Sequence, residues 1–356
     1  MNYRISNMFA IFSSNFLMSI IVVTISIILV IWGKSKWNKK KELFLLYSKK
    51  HEYEEIDVKL KSDENKKFLN GKNKTLKLKD VITLTDTVKI YIFSYPSEYD
   101  DFGLGICKHI KFSGLNIQGK IKGKWNNNDD REKDLSEIFR SYTPVYINKK
   151  KKQIHFIIRI YKEDEHFIDG GKMSSQLDKL RNKSKINITG PFGLIEYKGN
   201  NEFSYLSKSI KIKKHIVMIA GGTGMTPFFR LINHLLLTKK TNIEDEPIYI
   251  TFIYANRNEQ EILLKPVFDE YDANFENFKK VYSIDKCLDS TLKDTVDNIG
   301  YINIDLLKKY VLKYEKLNIP IKNSDTLVLT CGPPPMTSLL NVLLKEEMKM
   351  ENVIIL

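Results

Sequence analysis

The spacing of apolar positions divides the chain into four segments, and each predicts a different kind of structure. From Met8 to Trp32 the sequence is apolar apart from hydroxyls and one Asn, and no charged residue or histidine occurs between Arg4 and Lys34. At about 1.5 Å per residue, a helix of that length crosses about 30 Å of hydrocarbon, so residues 1–33 are expected to form an N-terminal transmembrane helix. The run closes on Val30, Ile31, Trp32, Gly33 and Lys34, which favours an uncleaved anchor over a signal peptide ending in small residues. Lys34, Lys36, Lys39, Lys40 and Lys41 follow at once. By the positive-inside rule they place the body of the protein in the cytoplasm. Residues 34–75 are dense in Lys and Glu, with a short amphipathic piece from Leu43 to Tyr47, and read as a tether.

From Leu76 the pattern turns strand-like: Leu76 to Leu84, Val88 to Ser94, Cys107 to Phe112, Tyr142 to Ile147, Ile154 to Tyr161 and Lys185 to Ile188. Short strands separated by turn signals predict an antiparallel barrel or sandwich over residues 76–208. The polar stretch Gly123 to Glu137 interrupts it and is expected to be a surface loop. Over residues 209–356, strand and helix alternate. Strand patterns at Val217 to Ala220, Ile248 to Tyr254, Lys280 to Ile284 and Thr326 to Thr330 are interleaved with helical patterns at Glu259 to Tyr271, Ile304 to Leu312 and Pro335 to Met348. That succession predicts a parallel sheet with helices on both faces.

The second half opens on the most informative stretch. Val217, Met218, Ile219 and Ala220 form a short apolar run, Gly221, Gly222 and Gly224 follow, and Phe228, Leu231, Ile232, Leu235 and Leu236 then recur at helical spacing. This predicts a buried strand, a phosphate-sized loop and a helix capped by Thr226 with Pro227 as its first residue. Glycines there let the backbone approach a ligand, with helix-start N–H groups aimed at an anion such as a dinucleotide pyrophosphate. A tight strand-to-helix connection explains the glycines equally well. The loop also departs from the G-x-G-x-x-G fingerprint, since Pro227 stands at the third glycine, and Glu244, Asp245 and Glu246 precede the next apolar run instead of ending a strand.

Composition narrows the classes. At 42% hydrophobic and 11% aromatic residues, wholesale disorder is excluded. Cys107, Cys287 and Cys331 are too few and too scattered for a disulfide framework, a metal cage or an iron–sulfur cluster. The net charge of +14 is spread over Lys-rich loops without a basic run interleaved with aromatics, so no nucleic-acid partner is expected.

Four motifs remain, in fixed order: Arg140 to Pro144 (Arg-Ser-Tyr-Thr-Pro), Gly170 to Ser175 (Gly-Gly-Lys-Met-Ser-Ser), Gly190 to Gly193 (Gly-Pro-Phe-Gly) followed by the glycine loop, and Cys331 to Met336 (Cys-Gly-Pro-Pro-Pro-Met). Singly, each has a bland explanation. Together, from about Leu76 to the C-terminus, they resemble the NADH–cytochrome b5 reductase family within the ferredoxin–NADP reductase-like flavoenzymes. The resemblance implies an antiparallel β-barrel FAD domain (76–208), then an α/β parallel-sheet NAD-binding domain (209–356), behind an anchor (1–33) and a tether (34–75). It assigns Arg140 to the FAD pyrophosphate and places Tyr142 and Thr143 against the flavin, with Ser141 where the family often has proline. Gly171, Lys172, Met173 and Ser174 match a second FAD phosphate segment. His109 falls near the flavin through Leu104 to Ile110 (Leu-Gly-Ile-Cys-Lys-His-Ile), which resembles the family's glycine-x-histidine-isoleucine strand.

On the nicotinamide side, Gly222, Thr223, Gly224 and Thr226 match the pyridine-dinucleotide loop, including its proline. Cys331, Gly332 and Pro333 match the segment beside the nicotinamide, and Arg159 stands where the family has a dinucleotide-contacting lysine. Asp285, in Tyr282 to Asp285, matches the adenosine-ribose segment. A carboxylate there favours NADH over NADPH, although Lys286 beside it weakens that preference. Val353 to Leu356 ends the chain without the family's terminal aromatic. The implied activity is hydride transfer from NADH to FAD, then single electrons to cytochrome b5 or a similar haem protein, with Thr143 and Cys331 closest to the chemistry. A monomer is expected, on the cytoplasmic face of the endoplasmic reticulum or, alternatively, of the mitochondrial outer membrane. A reductase of the same superfamily serving another acceptor, and a membrane-tethered binding protein without turnover, are the competing readings.

Overall fold

The period-two segments become strands in the computed structural model, which describes residues 66–165, 167–237 and 248–356. All of these fall in one unit, Ser48–Leu356. The expected anchor, and the tether up to residue 65, lie outside the described residues. Among the described residues no helix is long and apolar enough to cross a membrane.

The first lobe contains Lys74–Thr83 (β1), Val88–Ser94 (β2), His109–Leu115 (β3), Glu137–Tyr142 (β4), Tyr146–Asn148 (β5), Gln153–Arg159 (β6), the helix Lys172–Asp178 (α1) and Lys185–Phe192 (β7). Its seven strands form one antiparallel sheet in the order β4-β3-β7-β1-β2-β6-β5. β4 and β5 are the two edges, yet only Thr143, Pro144 and Val145 join them. Those few Cα steps span at most about 14 Å, whereas seven flat strands would measure about 29 Å across. The sheet therefore rolls, bringing its edges together.

Inside the roll, Phe93, Phe112 and Phe156 are fully buried with Leu76, Leu78 and Ile138. Phe112 meets Phe156 edge-on at 5.0 Å between ring centroids. Each such side chain contributes roughly 1.5–3 kcal/mol by leaving water. Met173 and Leu177 of α1 enter the same core, as do Phe68 and Leu69. The packed body thus begins upstream of Leu76, inside the segment read as a tether.

One further expectation fails here and another is refined. The strand foreseen over Tyr142 to Ile147 is split, because Pro144 supplies no ladder N–H at the turn between β4 and β5. The polar stretch Gly123 to Glu137 is largely exposed, as a surface loop should be, but a few of its side chains tie it to buried groups. Trp125 Nε1 donates to the Gly170 carbonyl at 3.0 Å, Asn126 and Asp169 exchange hydrogen bonds at 2.6 and 2.7 Å, and Asp130 is buried. Trp125, Asn126 and Asp130 thus meet buried polar partners, a pairing that composition does not reveal.

A small antiparallel sheet, Ile195–Gly199 (β8), Glu202–Tyr205 (β9) and Lys208–Lys211 (β10), leads into the second lobe. There His215–Gly221 (β11), Thr226–Leu237 (α2), Tyr249–Asn256 (β12), Lys265–Asn274 (α3), Phe278–Ile284 (β13), Asn298–Ile299 (β14), Ile304–Val311 (α4), Thr326–Cys331 (β15), Pro334–Asn341 (α5) and Asn352–Ile355 (β16) follow in turn. The sheet is parallel throughout, ordered β14-β13-β12-β11-β15-β16. Every residue of β11 is buried, as a continuous apolar run covered on both faces should be. The chain builds outward from β11 to β14 and then resumes on the other side at β15. The carboxyl ends of β11 and β15 therefore flank the topological switch point, where open α/β sheets bind ligands.

Thr226 is not an N-cap. It is helical, with φ −60° and ψ −40°, and continues a tight turn over Gly222–Met225. The helix foreseen from Glu259 breaks at Leu264, which adopts φ 55° before Pro266 restarts the chain as α3. The last helix widens its turns after Asn341. β16, unforeseen, lies beside β15.

Candidate active site: the cleft between the two sheets

Both lobes direct their loops into one cleft of about 1320 Å³, more than the roughly 300–1,000 Å³ of a site for one small molecule. All the expected site residues line it: His109, Arg140, Ser141, Tyr142, Thr143, Arg159, Gly171, Lys172, Met173, Ser174, Gly222, Thr223, Gly224, Thr226, Asp285, Cys331, Gly332 and Pro333.

On the first lobe, β4 alternates so that Ile138, Arg140 and Tyr142 share a face. Ile138 enters the core, Tyr142 packs on Phe112 at 4.7 Å, and Arg140 reaches the cleft. Burial pushes the Tyr142 hydroxyl well above its ordinary range, so it stays a neutral donor. Arg140 is held by Glu132 through two hydrogen bonds of 2.7 Å. That pairing raises the guanidinium's pKa and lowers the carboxylate's.

Gly171 precedes α1 without a side-chain cap, which leaves the first-turn N–H groups of α1 to an external anion. The Lys172 side chain does not serve that anion. Its ammonium is buried against both oxygens of Asp130 (2.8 and 2.7 Å) and Asn116 Oδ1 (2.9 Å), so only its main chain remains for a phosphate. His109 stacks obliquely near Phe192. Burial, with Lys111 and Lys108 nearby, holds it below the usual imidazole range and therefore neutral.

The second lobe offers backbone in place of charge. Gly222 adopts φ 52°, and its carbonyl accepts a 3.0 Å hydrogen bond from the Tyr254 hydroxyl on β12. A Cβ on Gly224 would overlap the Cys331 carbonyl oxygen and lie 2.7 Å from its carbon. One on Gly332 would lie 2.6 Å from Met336 and 3.0 Å from the Gly221 nitrogen. The glycine loop and the Cys331 to Pro333 turn are therefore in backbone contact at the switch point. Burial pushes the Cys331 thiol up to about 11, so it is a neutral packing group and no nucleophile.

Asp285 continues β13, its N–H donating to the Asn256 carbonyl at 3.0 Å. Burial raises its pKa, with Arg257 pulling the other way. Arg159 pairs with Glu261 at 2.7 Å and so joins β6 of one lobe to the other. Arg230 of α2 makes a second link, donating to the carbonyls of Leu104 and Gly105.

Other lining residues had no distinguishing signal. Glu261 reads as one more helix-face charge. Tyr301, 77% exposed after Gly300 at φ 120°, stands on the cleft wall near Asp285 because the Gly300 N–H bonds the Ile284 carbonyl. Ile354, Ile355 and Leu356 line the cleft beside β15, the Leu356 N–H donating to the Thr330 carbonyl at 2.9 Å.

The chain matches the oxidoreductase FAD-binding domain family over residues 75–197 and the oxidoreductase NAD-binding domain family over residues 218–341. It is 30% identical over 284 residues to NADH-cytochrome b5 reductase 1 of Homo sapiens, covering 78% of this chain and 80% of that protein. The chain belongs to the NADH–cytochrome b5 reductase family. Among solved structures, the cytochrome b5 reductase domain of Ulva prolifera nitrate reductase is similar with a TM-score of 0.64 at 27% identity, over 81% of this chain and 99% of that domain. A ferredoxin NADP+ reductase from Neisseria gonorrhoeae shares the fold, with a TM-score of 0.52 at 13% identity over 81% of this chain and 99% of that chain. Family membership gives the two lobes their cofactors, FAD and NADH.

Proposed function

We propose that this protein is an FAD-dependent reductase that takes a hydride from NADH and delivers single electrons to cytochrome b5 or a similar one-electron haem protein. The observation that carries this is one cleft lined from one side by Arg140, Tyr142 and Thr143 and from the other by the Gly221 to Gly224 loop and Cys331. The first lobe fits FAD: an arginine for diphosphate, an uncapped helix start, and an aromatic with a hydroxyl for the ring. The second lobe fits a dinucleotide that comes and goes, held by backbone at a switch point.

When bound, FAD supplies both the hydride-accepting centre and the one-electron exit. The protein's part is positional. Tyr142 and Thr143 orient the flavin face, Cys331 and Gly332 set the depth of the nicotinamide, and the two inter-lobe links fix the distance between them. Asp285 accepts ribose hydroxyls and repels a 2′-phosphate, and Tyr301 offers an aromatic face to the adenine. His109 is a neutral hydrogen-bonding neighbour of the flavin.

We further propose that residues 8–32 anchor the chain with its body on the cytoplasmic face of the endoplasmic reticulum, as a monomer beside a membrane-bound acceptor. The charge of +14 would steer an acidic haem protein toward it. Cytochrome b5 and ferricyanide reduction, compared at rising ionic strength, test this. Cytochrome reduction should slow far more; an equal response of the two acceptors removes the steering argument.

A further inference from the structure

The stretch 116–136, between β3 and β4, belongs to none of the motifs above, yet it meets both halves of the diphosphate site. Its Glu132 takes the outer end of the Arg140 guanidinium, one oxygen on each terminal nitrogen, and the Phe139 carbonyl accepts a further bond from Nη1 at 2.9 Å. A guanidinium has five N–H groups. Among the described residues, the two without an acceptor are Nε–H and the second Nη2–H. These are neighbours on the side-on edge, the pair that grips one phosphate bidentately. Arg140 lines the cleft whereas Glu132 stands outside it, so the carboxylate holds the guanidinium from behind.

The same stretch fixes the start of α1. Asp130 and Asn116 fasten the Lys172 ammonium, which is also 5.1 Å from the Trp125 ring, and Trp125 and Asn126 both donate to the Gly170 carbonyl at 3.0 Å.

We propose that residues 116–136 form a flavin-retention brace, in which Glu132 is a positioning residue that presents the side-on edge of Arg140 to the FAD diphosphate while Asp130 and Trp125 hold the helix start opposite. This rests on the assignment of Arg140 to that diphosphate. An unbraced arginine at a half-exposed site samples many rotamers, and holding one of them before binding removes that cost from the binding step. Repulsion between Glu132 and the diphosphate is offset because the Lys172 ammonium lies 3.5 Å from the same carboxylate. Within this cluster Asp130 and Glu132 balance Lys172 and Arg140.

The test is a double-mutant cycle on FAD release from the full chain in detergent, followed by the rise of free-flavin fluorescence after dilution. Glu132→Ala should speed release about tenfold, the scale of one lost charge-assisted bond, and Glu132→Asp should restore part of the retention. In an Arg140→Ala background, Glu132→Ala should change release less than about twofold, since independent effects would simply add. Unchanged or slower release in Glu132→Ala, or the same acceleration in both backgrounds, overturns the brace. Wild-type retention in Arg140→Ala alone would instead overturn the diphosphate assignment beneath it.

Discussion

The two walls of the cleft solve the same problem, holding a dinucleotide, by different means. The first-lobe wall uses charge: Arg140 and Lys172 sit in a network with Glu132, Asp130 and Asn116 at 2.7–3.5 Å. The second-lobe wall uses shape: Gly221, Gly224 and Gly332 lie so close to neighbouring atoms that a single methyl group would collide. The difference follows the fate of each cofactor. A flavin that stays bound profits from pre-oriented side chains with slow release. A nicotinamide that leaves every turnover profits from backbone contacts that need no rearrangement.

Gly224→Ala should break the second wall with the largest effect. The added Cβ overlaps the Cys331 carbonyl, backbone that cannot move aside, and overpacking of this kind costs about 1–3 kcal/mol. Stopped-flow reduction by NADH should slow by roughly 100-fold at the upper end of that range, while FAD content stays near wild type. Loss of both together would mean the walls are not separable.

Arg140→Ala breaks the first wall. On the proposed assignment it removes the cation from the diphosphate, so FAD should bind about 10–100-fold more weakly, as measured by fluorescence titration of apoprotein. NADP(H) selectivity should change little.

Asp285→Thr sharpens the comparison within the second wall. Removing the carboxylate should narrow the NADH-to-NADPH ratio of kcat/KM by about tenfold, with FAD retention untouched. An unchanged ratio would move the selectivity to Glu261 or Tyr301.

The smallest effect is that of pH. Burial raises the Asp130 pKa, but the hydrogen bonds from Lys172 outweigh it and leave the carboxyl below its ordinary value, and Arg140 lowers Glu132. A depressed carboxylate stabilises the fold fully above its unfolded pKa, and that contribution is lost as pH falls through the folded pKa. FAD release should therefore be flat near neutrality and accelerate below about pH 4. Asp285, raised by burial, loses its charge at a higher pH than Asp130. Selectivity for NADH should consequently decline before the flavin does.

The walls also differ in how far their sequence could be read. The second was legible because its signals are local. An unbroken apolar run over β11, glycines at its end and a helical stripe after it dictate strand, loop and helix within a few turns of chain. The first was legible only in its motif residues. Glu132 and Asp130 lie in a stretch whose composition reads as solvated loop, and nothing local tells that Lys172, 42 positions from Asp130, would be its partner. Thr226 misled for the opposite reason, since a good capping residue was overridden by a tight turn that runs straight into the helix. Tyr301 and Glu261 belong to the site because the sheet brings their loops to its carboxyl edge, a tertiary fact with no periodic trace.

The account stands on hydride passing between the two walls, and anaerobic titration of the flavin-loaded full chain with NADH tests that most directly. The flavin's visible absorption should bleach stoichiometrically, one NADH for each bound FAD, in wild type and far more slowly in Gly224→Ala. A flavin-loaded protein whose absorption does not respond to NADH would contradict it.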